Sequence, residues 1–105
     1  MGLFAALNRR VSHLQLGLQP DTLKYWHHVI LADAKSRAPP WLQDKINVKQ
    51  DPHLPMKFSL DISKRATSYY MMAVDAHLEM MPSSTRLYFL RVCETLGDEI
   101  DKNLV

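Results

Sequence analysis

The stretch RAPPWLQDKINVKQDPHLPMKF, residues 37–58, holds four of the chain's six prolines and limits the fold more than any other feature. Proline fixes φ and has no N–H, so it breaks helix interiors and stays out of the middle of a sheet. The residue before a proline is pushed out of the helical region as well. Such an interruption near the centre of 105 residues predicts helices before and after it, joined by an irregular segment. From Asn47 to Phe58 the sizeable apolar residues are Val48, Leu54, Met56 and Phe58, the last three spaced two apart. Segments of this length without structure of their own are uncommon in compact domains and are usually functional. The reading is an extended, proline-containing arm over about 47–58. Leu54, Met56 and Phe58, together with Trp41 just upstream, are the candidate partner-binding residues. The alternative is that the arm folds back over the chain's own helices.

On either side of the prolines the apolar residues recur with helical spacing. Leu3, Leu7, Val11, Leu14 and Leu18 form one stripe, closed by Gly17. A second helix begins beside Asp21 as N-cap, places Leu23, Trp26, His27, Ile30 and Ala34 on one face, and ends before Pro39. Pro40 fits the first position of one short turn through PWLQDKI. A third helix starts at Ser59 or Asp61, carries Ile62, Ala66, Tyr69, Tyr70, Ala73, His77, Met80 and Met81 on a broad face, and stops at Pro82. The fourth starts at Ser83 or Ser84 and runs to about Lys102, with Tyr88 or Phe89, Val92, Cys93, Leu96 and Ile100 inward and Gly97 fraying its end. The fold class expected is all-α. It has about four helices, a C-terminal antiparallel helical hairpin and the extended arm, within a single domain over 1–105.

Charge and composition narrow the function classes. With 47% hydrophobic and 23% charged residues the chain has an ordinary globular composition. Lys35 to Arg65 carries seven basic residues against three acidic, and Asp75 to Asp101 six acidic against two basic. The basic excess is small and spread over a loop rather than concentrated on one face, so nucleic acid is not an expected partner. The lone Cys93 excludes an internal disulfide and a cysteine-based zinc site. The longest uncharged run with much apolar character, ATSYYMMAV, is far short of the ~20 residues that cross a bilayer. Residues 1–20 carry Arg9 and Arg10 and no acid, an amphipathic pattern that resembles a mitochondrial targeting segment. Since the sequence begins at Met1, targeting through this segment is expected to be uncleaved. MGLFAA lacks the Ser or Thr that N-myristoylation needs at its sixth position.

The search for chemistry returns little. His27 and His28 are adjacent, about 100° apart on a helix, and cannot share one ion. At helical spacing His77 falls opposite Asp75 and Glu79. No Gly-rich phosphate loop and no nucleophile signature are present, and no catalytic residue, metal ligand, cofactor or small-molecule substrate is expected. Tyr69, Tyr70, Met71 and Met72 are read as core or protein interface, where such side chains are enriched.

LQLGLQPD at 14–21, SRAPP at 36–40, SKRA at 63–66 and EMMP at 79–82 follow one another in the order of landmarks found in a known family. They resemble the small matrix-side helical subunit of the cytochrome bc1 complex, the ubiquinol-binding-protein family. That family has a Leu-Gly-Leu before paired acids, an Arg-Leu-Pro, a basic pair before alanine, and a proline between two helices. Here Thr22 stands for the second acid, Ala38 for the leucine, and the stretch from Pro40 to Lys64 is longer. The resemblance implies a non-catalytic subunit with no metal or haem ligand, peripheral to the mitochondrial inner membrane on its matrix side and held by other subunits of a large complex. Accessory subunits of the NADH dehydrogenase or ATP synthase share every feature read from the residues. A mitochondrial ribosomal or RNA-binding protein would need Lys35, Lys45, Lys49, Lys57, Lys64 and Arg65 on one surface. A small enzyme would need a pocket joining Asp75 or Glu79 to His27 or His28.

Overall fold

The computed structural model describes residues 18–104. Helix α1 spans Pro20–Arg37, followed by a 3-10 turn, Pro40–Lys45. Strands β1, Ile46–Gln50, and β2, Phe58–Ile62, come next. A second 3-10 turn, Lys64–Ala66, leads into α2, Thr67–His77. A third, Leu78–Met80, precedes α3, Ser83–Leu104. Of the first predicted helix, residues 1–17 lie outside the described residues; Leu18, its last apolar position, is buried.

Helix α1 follows from its punctuation. Pro20 occupies the first helical position, Asp21 lies in the positive first turn, and Lys35 and Arg37 lie in the negative last turn. The N-cap is Gln19 rather than Asp21, and it makes no side-chain capping bond. Ala38 leaves the helix in an extended conformation, as the following Pro39 requires, while its N–H still donates to the Ala34 carbonyl at 3.0 Å. Leu23, His27, Ile30 and Ala34 form the buried face, with Trp26 packed at its border. Pro40 opens the short turn expected of it.

The all-α expectation is corrected at the centre of the chain. β1 and β2 pair antiparallel, with Ile46 opposite Ile62, Val48 opposite Leu60 and Gln50 opposite Phe58. The chain is mostly helical with a two-stranded hairpin, not all-α with an extended arm. The apolar alternation that begins at Leu54 continues through Phe58, Leu60 and Ile62, a period of two that marks a half-buried strand. Pro52 and Pro55 lie in the connecting loop, where no ladder bond is needed. A sheet of two strands has only edges, so exclusion of proline from a sheet interior did not forbid it. The loop is tied down. Asp51 accepts hydrogen bonds from the N–H groups of His53 at 2.8 Å and Leu54 at 3.0 Å, and Gln50 Nε2 donates to the Pro55 carbonyl at 2.8 Å. Its N–H bonds, the His53 amide first, hold the Asp51 carboxyl below its usual range.

Ser59 and Asp61, the expected starts of the third helix, and Ile62 on its expected face therefore belong to the sheet, and that helix starts at Thr67 after the 3-10 turn. α2 packs chiefly on α1 and makes a smaller contact with α3, so the expected C-terminal hairpin is not the main helical packing of the chain. A Cβ at Gly97 of α3 would stand 3.8 Å from Met71 Cε of α2. Gly97 does not fray α3, which continues to Leu104. The corner between the two helices is closed by Arg86, whose guanidinium donates to the carbonyls of Leu78 at 3.0 Å and Met81 at 3.3 Å. One core joins all these elements and includes Leu23, Ile30, Ile46, Leu60, Tyr70, Phe89 and Leu96. Among the described residues, no helix is long and apolar enough to cross a membrane.

Candidate functional site

The residues read as partner-binding separate into two groups. Trp41 is 72% exposed on its proline-framed turn, and Leu54 is 55% exposed on the hairpin loop. Met56 is partly buried and packs against the core, while Phe58 is only 4% exposed and belongs to that core. Phe58 is therefore removed from the partner-facing set, because strand pairing opposite Gln50 turns its side chain inward onto α1. That end of the predicted arm covers the chain's own helices. Other large apolar side chains stand in water as well, among them Tyr25, Met80 and Leu87.

Phe58 stacks on His27 with ring centroids 4.3 Å apart and planes inclined by 25°. The His27 ring also meets the rings of Tyr88 at 5.3 Å and Phe89 at 4.9 Å, both on α3. Its Nε2 lies 2.7 Å from the Tyr88 hydroxyl. Whichever of the two donates, Nδ1 is buried without a partner among the described residues. His27 is 2% exposed, and burial first, then the neighbouring His28, lowers its pKa to about 3. Burial likewise raises the pKa of Tyr88. A neutral imidazole clamped between three aromatic rings joins α1, β2 and α3.

Beside this cluster runs a cleft of about 200 Å³ between α1 and the hairpin. Lys24, His27, His28 and Leu31 line it from α1, Val48 and Gln50 from β1, and Phe58 from β2. Its walls combine an apolar floor with two basic rim residues, and no carboxylate lines it. Asp75 and Glu79 are exposed and take no part in it. The acid–histidine pocket that an enzyme reading needs is thus not formed there. His77 turns instead to Asp33 of α1, with Nε2 3.1 Å from Oδ2, and Arg37 Nε donates to the same oxygen at 3.2 Å. Cys93 is partly buried, and burial, then Asp75, pushes its thiol pKa up to about 12. Among the described residues, no group of three or more His, Cys, Asp or Glu side chains is placed to hold a metal ion.

The cleft was missed in the sequence because its walls come from three elements, one of them an unexpected strand. The signal available was His27 on an otherwise apolar helical face. Comparison with family models, curated proteins and solved structures finds no match to this chain.

Proposed function

We propose that this chain is a non-catalytic accessory subunit of a larger membrane-associated complex, contributing protein contacts rather than chemistry. The observation that carries the reading is the presentation of Trp41 and Leu54, 72% and 55% exposed, on a turn opened by prolines and a loop pinned by Asp51. A tryptophan on a constrained backbone leaves little main-chain freedom to lose on docking, and aromatic anchors of this kind dominate interface energies. The order of the four motifs supports the finer assignment, a peripheral subunit on the matrix side of the mitochondrial inner membrane in the cytochrome bc1 complex.

Purification of the tagged chain in mild detergent from mitochondria is the test. Subunits of that complex are expected to co-purify, and the double variant Trp41→Ser, Leu54→Ser is expected to lose them while keeping its helical circular dichroism. Retention of the same partners by that variant would remove Trp41 and Leu54 as anchors. Recovery of nucleic acid in place of membrane subunits, with binding that weakens steeply in salt, would overturn the accessory-subunit reading itself.

A further inference from the structure

Main-chain bonds fix which groups of β1 face outward. Ser63 N–H donates to the Lys45 carbonyl at 3.0 Å and Asp51 N–H to the Lys57 carbonyl at 2.9 Å. In an antiparallel ladder bonded and non-bonded pairs alternate, so Asn47 and Lys49 also point to β2, while Val48 and Gln50 turn their N–H and C=O groups away from it. Those outward groups have no main-chain partner among the described residues, and both residues are only partly buried. Val48 and Gln50 also line, with Leu31 and Phe58, the cleft between α1 and the hairpin. Lys24 and His28, both exposed, stand on the helical side of the same cleft.

We propose that this groove between α1 and the open edge of β1 receives an extended acidic peptide segment of a partner protein, which adds to the hairpin as a third strand. An edge strand with unpaired N–H and C=O groups recognises extended main chain, and the pocket beside it selects one side chain in two. The cleft of about 200 Å³ with Leu31, Val48 and Phe58 in its wall takes an aliphatic side chain. The charge of Lys24, with no acid in the lining, favours carboxylates on the flanking residues. The proposal rests on the reading of the chain as a subunit held by protein contacts, and it uses residues distinct from Trp41 and Leu54.

The test uses the full chain, labelled with nitrogen-15, and an acetylated, amidated hexapeptide alternating glutamate and leucine. Titration is expected to shift the amide signals of Val48 and Gln50 and the ring signals of His27. N-methylation of alternate peptide amides, which removes main-chain donors and keeps the side chains, is expected to weaken binding at least about tenfold. A lysine–leucine peptide is expected to bind more weakly, and Lys24→Glu, an exposed change that leaves the core alone, to narrow or reverse that preference. Shifts confined to other residues, equal binding of the N-methylated peptide, or no shift at millimolar peptide would each overturn the proposal. The subunit reading fails separately, through co-purification, so a groove that binds the peptide stands even if Trp41 and Leu54 prove dispensable.

Discussion

His27 places an electrostatic cost of burial in one side chain. Its pKa is near 3 in the folded chain against about 6.5 for a free imidazole, so between these values the unfolded state binds a proton that the folded state excludes. The sign follows: stability is unaffected above about pH 6.5 and falls as pH drops through the window, by about 1.4 kcal/mol per pH unit. Urea unfolding followed by circular dichroism is expected to show this slope between about pH 6.5 and pH 5, and His27→Gln to flatten it while keeping a polar partner for Tyr88. Equal pH slopes in the two proteins would show that the ring is not held neutral. The sequence placed His27 on the buried face of its helix, since its spacing matches Leu23, Ile30 and Ala34. Its partners Phe58, Tyr88 and Phe89 were not legible, because contacts across 31 to 62 residues depend on how elements meet. Local periodicity carries no such information.

Elements with strong punctuation were readable and those without it were not. Proline sets both ends of α1 and the onset of the first 3-10 turn, and α3 starts at Ser83 directly after Pro82. The hairpin went unread because its strands are five residues each and its loop contains prolines that suggest irregular chain. Ile62 could be counted equally well as the last residue of a strand or the first of a helix, and the strand prevailed because Ile46 supplies its partner. Gly97 offers an element-scale prediction. It lies inside α3, and an added methyl would make ordinary contact with Met71 Cε at 3.8 Å without a clash. Gly97→Ala is expected to stabilise the chain by about 0.5–1 kcal/mol through helix propensity and reduced freedom of the unfolded chain. A higher denaturation midpoint with an unchanged denaturant slope is the signature; a lower midpoint would mean that α2 and α3 pack more tightly than the 3.8 Å separation allows.

At the scale of the whole molecule, the chain divides its apolar residues between one core and a set of exposed side chains. Hydrophobic pattern in the sequence does not tell these apart. Leu54 and Phe58 are equivalent as letters, yet one is 55% and the other 4% exposed, a difference set by the loop and by strand pairing. The two tryptophans differ in the same way. Trp26 is half-buried, edge-on to Tyr25 at 5.2 Å and near the His77 ring at 6.4 Å, whereas Trp41 stands clear of the core. That separation gives the protein a built-in optical probe. In a Trp26→Phe variant the remaining indole emits from water when the chain is alone, at the long-wavelength end of the tryptophan range, and docking of Trp41 on a neighbour would move its emission to shorter wavelength and shield it from iodide quenching. Identical spectra for the free and complexed variant would leave Trp41 in solvent in both states, so the same light that follows binding also identifies which side of the molecule is bound.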